Sequence, residues 1–246
     1  TDDQRLRIGT NARQFHSYGF QNSARWEAQW GEISSRMDLG LRLHRDDVTR
    51  LHTEYLYDMV GGELVRTEND LITTTDSQAM AQALAAYVQE DLGIGRFHVI
   101  PSARIEAVQT SLDRAGEAPG ERVSRVNVLP GLGVLSELGS WVDGFLGVHR
   151  GYSPVAPGQV EEVQPELSWN YEAGLRMTQG SRHAEIVGFF NDYQNLTGQC
   201  SMSGGCGADD LGRQFNGGEV WIYGAEVVLG EKWLLPKQLM LTMDLS

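Results

Sequence analysis

The sequence predicts an all-β fold, an antiparallel transmembrane β-barrel to which this chain contributes about ten strands. Three observations lead to this prediction: hydrophobicity alternates with a period of two, the connections are alternately short and long, and aromatic residues stand at the ends of the alternating runs. Successive side chains of a strand point to opposite faces, so each run has one apolar and one polar face. Short turns on one side and long loops on the other are typical of barrels in the outer membrane.

The alternation is clearest in two runs. From Arg36 to His44 every odd residue is apolar, and every even residue is polar or Gly. The run from Glu166 to Met177 places six apolar side chains on one face, namely Leu167, Trp169, Tyr171, Ala173, Leu175 and Met177. Residues 221–229 and 239–245 repeat the pattern. A barrel strand needs only about 9–11 such residues to cross a membrane.

These patterns predict ten crossings, near residues 22–30, 34–44, 80–92, 96–109, 123–137, 141–150, 165–178, 182–194, 218–230 and 238–246. Tight turns are expected near 31–33, 93–95, 138–140 and 179–181, and long polar links at 45–79, 110–122, 150–164 and 195–217. The segment 51–69 resembles a hairpin around Gly61-Gly62, and the Ala-rich segment 79–93 also has helix propensity.

Aromatic residues are expected to form two girdles at the membrane interfaces. Trp30, Trp141 and Trp233 lie at predicted short turns, whereas Tyr152 and Tyr193 lie where strands enter long loops. Aromatic rings at both interfaces are characteristic of transmembrane barrels. A soluble β-sandwich would give the same alternation, but it does not predict such girdles.

Composition excludes several classes of function. The 246-residue chain has a formal net charge of -13, which argues against a nucleic-acid partner. It contains no apolar stretch of about 18 residues that could form a membrane-spanning helix. Nucleotide-binding, metalloprotease and hydrolase motifs are absent from the sequence, so no catalytic residue, metal site or cofactor is predicted.

Cys200 and Cys206 enclose Ser-Met-Ser-Gly-Gly inside a predicted long loop. Two cysteines this close in a chain bound for an oxidising compartment predict a loop disulfide. A metal site is the less favoured interpretation because no His or third Cys is adjacent.

Arg36, Arg42 and Arg176 fall on the polar faces of their strands and would face the lumen of a barrel. They could attract an anionic ligand through their charge. The favoured alternative is that they pair with carboxylates on the same face, namely Asp38, Glu172, Glu185 and Glu226.

Four passages resemble TonB-dependent outer-membrane receptors, in particular the branch that resembles the ferric-dicitrate receptor: 38–45 (DLGLRLHR), 87–107, 145–154 (FLGVHRGYSP) and 164–176. The resemblance implies a closed barrel of about 22 strands with a plug inside it. It further implies import of a ferric chelate, energy supplied by TonB through the plug, and location in the outer membrane of a Gram-negative bacterium, in contact with its lipid. Residues 1–246 would be part of one barrel domain without a plug domain.

The resemblance also implies that His149, Arg150 and Tyr152 form a ligand-binding cluster at the barrel mouth. Without it, the same residues describe a strand end with an interfacial tyrosine. The chain begins without an apolar leader and ends inside an alternating run, so we expect an excerpt of a longer protein that cannot fold or transport by itself. The alternatives are a passive pore or small complete barrel, a barrel enzyme, and a soluble β-sandwich that binds a ligand.

Overall fold

The computed structural model describes residues 5–67, 71–159, 163–206, 213–235 and 239–245. Thirteen strands account for most of this chain: β1 (Arg5–Trp30), β2 (Ile33–Val60), β3 (Glu63–Arg66), β4 (Ile72–Ile94), β5 (Phe97–Arg114), β6 (Val123–Glu137), β7 (Val142–Ser153), β8 (Glu166–Gln179), β9 (Arg182–Gln194), β10 (Thr197–Gln199), β11 (Gln214–Asn216), β12 (Val220–Leu235) and β13 (Leu239–Leu245). A short 3₁₀ helix spans Met202–Gly204.

An 11-stranded antiparallel sheet contains all strands except β10 and β11, which pair only with each other. Its strands follow the order β1-β2-β4-β5-β6-β7-β8-β9-β12-β13, and β3 pairs with the upper end of β2. Neighbours in the sheet are therefore neighbours along the chain, as in an up-and-down barrel. One continuous sheet, rather than two packed sheets, confirms the predicted fold class and argues against the sandwich.

The predicted crossings correspond to β1, β2, β4 to β9, β12 and β13. The segment 79–93 is part of strand β4, because pairing with β2 and β5 on both sides outweighs the helix propensity of its alanines. The hairpin around Gly61-Gly62 is also confirmed, as β3 folds back on β2.

The strands extend well beyond the predicted crossings. β1 begins at Arg5, ahead of the crossing predicted at 22–30, and most of the predicted polar link 45–79 belongs to β2, β3 and β4. Similarly, β5 continues to Arg114. These extensions carry only a partial period-two signal, because polar side chains occur on both of their faces.

The register divides the sheet into an apolar face and a polar face. Trp26 lies opposite Met37, and on the other face Arg25 lies opposite Asp38. The apolar face carries exposed large side chains, for example Trp26 (68% exposed) and Val126 (67%). A continuous apolar surface of this extent is typical of a face that contacts lipid rather than water.

The apolar band has sharp limits. Its upper row follows the register from Phe20 through Leu43, Leu84 and Ala107 to Val126. The next positions upward on the same face are Arg45, Gln82, Gln109 and Ser124. From Phe20 down to Trp30 there are ten residue steps of about 3.3 Å, or about 33 Å along the strand. A tilt of about 40° reduces this to about 25 Å, the height expected of a membrane-spanning band.

Three of the four predicted short turns are two-residue hairpins, at Gly31-Glu32, Gly95-Arg96 and Gly180-Ser181, and the turn predicted near 138–140 is a four-residue connection between Glu137 and Val142. Gly31 has a φ of 63°, and Asn195 is the one non-glycine residue with a positive φ in the described part of the chain. A positive φ at the first turn position but not the second is the pattern of type II′ turns, which fit the twist of antiparallel strands.

Candidate functional site

The candidate site lies on the polar face, above the apolar band. There β1, β2, β4 and β5 continue past the upper apolar row and form a projecting wall. At one level of this wall the register aligns Arg13 with Arg50, Arg50 with Ser77, and Ser77 with Arg114. All four share the polar face with Arg25 and Asp38. We call Arg13, Arg50 and Arg114 the arginine row.

The arginine row concentrates positive charge in a chain whose net charge is -13. Like charges placed directly opposite each other on neighbouring strands, as in Arg13 and Arg50, repel and are destabilising without a counter-ion. From Phe20 to Arg13 there are seven residue steps, about 23 Å along the strand, so the row stands well above the band.

The row is only weakly neutralised by the residues around it. Arg13 Nε donates to Asn11 Oδ1 at 2.7 Å, which adds no negative charge. Arg114 lies 3.6 Å from the carboxylate of Glu117, whose side chain is 61% exposed, and such exposed pairs contribute little. Arg50 Nε is a buried atom without a hydrogen-bond partner among the described residues.

His52 adds a second unsatisfied group next to the row. It occupies the next polar-face position along β2 after Arg50, opposite Asn11 and Thr75. Its Nε2 atom is also buried without a hydrogen-bond partner in the described structure. Glu54, one further position up, lies 3.8 Å from Arg7, and its Oε2 atom is likewise buried without a hydrogen-bond partner among the described residues. Unsatisfied buried groups are rare in native proteins, so adjacent ones indicate a place where a ligand or water completes the hydrogen bonding.

Lower on the polar face, arginines are paired with carboxylates. Arg36 NH2 lies 2.6 Å from Asp91, and Arg176 Nε lies 2.6 Å from Glu185. The predicted partner Asp38 instead binds Arg25 at 2.8 Å. Arg42 lies opposite Gln21 and Ala85. Charges are therefore paired at the level of the band, whereas the arginine row above it has an excess of positive charge. This difference makes the wall the better candidate for binding an anion.

The predicted mouth residues do not form one cluster. His149 lies opposite Gly131 and Asn170 on the polar face. Arg150, the next residue, lies opposite Trp169 on the apolar face, with its Cζ atom 5.1 Å from the centre of the Trp169 ring. The alternation of side chains along β7 therefore separates two residues that are adjacent in sequence.

Tyr152 shares the side of Arg150 by alternation, but it lies above the last β6–β7 pair, Gly131 and His149, where the two strands separate. Burial raises the pKa of its phenol. The carboxylate of Glu106 acts in the same direction, and Arg125 acts in the opposite one. Both of these charged residues belong to the polar face of β5 and β6.

Two connections dock together above β7 and β8. Asn216 Nδ2 donates to Gln164 O at 2.9 Å, and Gln164 N donates to Asn216 Oδ1 at 3.0 Å. Ala156 N donates to Gln214 Oε1 at 2.9 Å. These bonds join residues 154–165 to the β10–β11 hairpin. We call the described parts of 154–165 and 195–219 the two-loop cap.

The two-loop cap contains a disulfide between Cys200 and Cys206, whose Cα atoms are 5.7 Å apart. The cap also contacts the polar face, because Arg125 NH2 donates to Val163 O at 2.6 Å. Gly158 packs so closely against Leu112 that a Cβ atom at this position would collide with it. Leu112 is the polar-face neighbour of Arg114 along β5, so the cap lies beside the arginine row.

The girdle of aromatic rings differs in part from its prediction. Tyr193 lies opposite Val220 and Ser168, on the polar face, and does not contribute to it. On the apolar face, Phe190 instead packs between Tyr171 (centroids 6.1 Å apart) and Trp221 (6.4 Å). The side chain of Trp233 lies outside the described residues.

Within the described ranges, no group of three or more His, Cys, Asp or Glu side chains is arranged to hold a metal ion. Those ranges also contain no helix with the length and hydropathy of a membrane crossing.

Sequence reasoning missed the arginine row, because its members lie in or beyond segments predicted as loops. The one local signal was the alternation Arg50, Leu51, His52, Thr53, Glu54, which predicts a strand with a charged face.

A family model described as TonB dependent receptor-like, beta-barrel matches residues 1–245. The fold is similar to the ferric citrate transporter FecA in its unliganded form, with a TM-score of 0.74, 20% identity, and coverage of 92% of this chain and 33% of that chain. It is also similar to the siderophore receptor PiuA from Acinetobacter baumannii (TM-score 0.67, 13% identity, 89% and 36% coverage). The corresponding values for the copper transporter OprC are 0.67, 11%, 92% and 35%.

The chain thus spans about a third of the length of these structures. Identities this low show a shared fold and leave the transported ligand open. The absence of an enzyme motif from the sequence agrees with the matched family and with these structures, which are transport proteins.

Proposed function

This chain belongs to the TonB-dependent receptor family as part of the β-barrel, and from this premise we propose that its parent protein is an outer-membrane receptor that imports an anionic ferric chelate. In this arrangement the polar face lines the lumen, the apolar face contacts lipid, and the projecting wall reaches the exterior. TonB would supply energy through a plug domain that residues 1–246 do not contribute.

The arginine row is the observation that carries the proposal. Ferric chelates built from carboxylates bear negative charge on oxygen atoms, and Arg presents a planar fork of donors that matches such groups. Arg13 and Arg50 would bind the chelate together, because an anion between them removes their repulsion and satisfies the buried Arg50 Nε. The nearby His52 Nε2 supplies a further hydrogen bond.

Of the predicted mouth residues, His149 remains our proposed chelate contact, because it lies on the polar face. Tyr152 remains proposed as well, since its phenol lies near Glu106 and Arg125. Arg150 faces away from the lumen, which weakens its assignment as a ligand contact. The two-loop cap, held beside the arginine row by Arg125 and Leu112, is the segment we propose to enclose the captured chelate.

The experiment replaces Arg50 by Gln in the full-length receptor and measures binding of ferric citrate, a polycarboxylate chelate. Losing a charge-assisted hydrogen bond should weaken binding about tenfold or more. The matched control is Arg45→Gln, which removes a cation from the same strand but from the opposite face. An equal loss in both variants, or no loss in Arg50→Gln, contradicts the role of the row.

Import itself is tested in iron-limited cells that produce the full-length receptor. We expect uptake of labelled ferric citrate that stops when TonB is deleted, and weaker uptake in the Arg50→Gln variant. Uptake that persists without TonB would instead support the passive pore.

A further inference from the structure

Arg150 occupies an unusual position for a charged residue. Along β7 the apolar face carries Val142, Gly144, Leu146 and Val148, and Arg150 is the next residue on that face. Val148 belongs to a register row that continues through Tyr171, Phe190 and Tyr223. The guanidinium therefore lies one step above this apolar and aromatic row, on the outward side of the sheet.

The side chain is held in place by neutral groups. Its Cζ atom lies over the Trp169 ring at 5.1 Å, and its NH2 group donates a long hydrogen bond of 3.4 Å to Gln194 Oε1. A cation stacked on an indole ring is oriented without being neutralised. The remaining N–H groups of the fork are available to an acceptor outside the protein.

Two other arginines on the same face are neutralised by carboxylates, whereas Arg66 stacks on the Tyr55 ring. Arg45 forms two hydrogen bonds with Asp47, at 2.7 and 2.8 Å, and Arg182 binds Glu231 at 2.9 Å. In the row of Arg150 the acidic residue is Asp192, two strands away, a separation of about 10 Å. Asp192 also accepts a hydrogen bond from Trp221 Nε1 at 3.1 Å.

We propose that Arg150 binds the phosphate of an outer-leaflet lipid. The proposal rests on the proposed function, which places the apolar face in the outer membrane with the projecting wall outside. At that depth a cation above an aromatic girdle meets lipid headgroups. A phosphate supplies the negative charge that the protein does not provide, and its oxygens fit the guanidinium fork. Trp169 and Gln194 fix the orientation of the fork, so that binding requires little reordering.

The test uses the full-length receptor in phosphatidylcholine nanodiscs that contain or lack bisphosphorylated lipid A, with bound lipid counted by native mass spectrometry. Wild-type receptor should retain lipid A, and Arg150→Gln should bind it about tenfold more weakly, as expected for loss of a charge-assisted hydrogen bond. Arg45→Gln is the matched control and should bind like wild type. Arg150→Lys keeps the charge but loses the fork, so it should fall between them.

Equal retention by wild type and Arg150→Gln would overturn the proposal, as would an equal loss in Arg45→Gln. Dephosphorylated lipid A separates phosphate recognition from acyl-chain packing: if wild type retains it as well as the phosphorylated form, the proposal also fails. These measurements contain no chelate. A receptor that retains lipid A through Arg150 but does not import ferric citrate would refute the proposed function and leave the lipid site standing.

Discussion

At the scale of residues, several polar-face glycines lie directly beneath aromatic rings. Tyr87 lies opposite Gly40, Phe145 opposite Gly174, and Phe189 opposite Gly224. A Cβ atom at Gly224 would be 2.9 Å from Phe189 Cζ, which is too close for carbon atoms. Glycine therefore lets a bulky ring lie flat along the wall, a device known to stabilise sheets that carry strand glycines.

The Gly40→Ala substitution tests this arrangement. The added methyl group would collide with the Tyr87 ring, and we expect the full-length receptor to lose about 1–3 kcal/mol of stability, the usual cost of overpacking. Thermal unfolding in detergent measures the effect. Gly147→Ala is the control, because a Cβ there meets no atom within 4 Å. An unchanged midpoint for Gly40→Ala would contradict the packing of Tyr87.

The phenol of Tyr152 predicts a dependence on alkaline pH. Burial and Glu106 raise its pKa above the usual value of 10.0, so the folded state keeps the proton at a pH where the unfolded chain has lost it. This contribution to stability is complete below about pH 10 and is lost as the pH rises through the folded-state pKa.

Absorbance of the phenolate band in the full-length receptor measures this shift. In the wild type we expect one phenol to lose its proton at a pH above the usual range. This signal should be missing from the Tyr152→Phe variant. If the deprotonation step at high pH persists in Tyr152→Phe, another tyrosine is responsible for it.

At the scale of elements, the two-loop cap is held by side-chain-to-backbone hydrogen bonds rather than by a core. Asn216 makes two such bonds to Gln164 and a weaker one to Asn195 O at 3.3 Å. Val155 and Val163 supply the buried apolar side chains of residues 154–165. Elements with so few buried contacts open more readily than strands of the sheet.

Replacing Asn216 by Ala should loosen this docking. Loss of its hydrogen bonds is worth about 1–3 kcal/mol, so the amide of Gln164 should exchange with deuterium at least about fivefold faster. Hydrogen exchange of the full-length receptor, read in peptides that cover residue 164, measures the change. Ser203→Ala is the control, because among the described residues its hydroxyl hydrogen-bonds to Ser201 Oγ and not to Gln164 or Asn216. An unchanged exchange rate would show that the disulfide and the apolar contacts are enough to hold the two-loop cap in place.

At the scale of the whole molecule, the sheet is open. In the described structure β1 pairs only with β2, and β13 pairs only with β12. Each outer edge presents unpaired backbone N–H and C=O groups, which lipid cannot satisfy. The chain also spans about a third of the related structures, so further strands of the parent protein are expected to close the barrel.

Residues 1–246 produced alone should therefore fail to form a stable barrel. We expect aggregated or protease-sensitive material after refolding in detergent, whereas the full-length receptor should remain folded on a cold gel. Limited proteolysis and size-exclusion chromatography compare the two. A monodisperse, protease-resistant species formed by this chain alone would refute the prediction and favour a small complete barrel.

The all-β class, three of the short turns and the ten strands of the band could be predicted from the sequence alone. In transmembrane barrels, lipid on one face and a polar lumen on the other force every second residue to be apolar. The Gly-containing turns interrupt this pattern at fixed points. The extensions of β1, β2, β4 and β5 were not predicted, since polar side chains on both of their faces leave only a partial periodic signal.

Which side chains meet depends on the pairing of the strands. Arg13, Arg50 and Arg114 are far apart in sequence, and pairing across β1, β2, β4 and β5 sets them at one level. Pairing likewise placed His149 and Arg150 on opposite faces, although the FLGVHRGYSP segment had suggested a single cluster. Register is a property of neighbouring strands, and a shift of one residue would reverse every side chain, so it cannot be read from any one run.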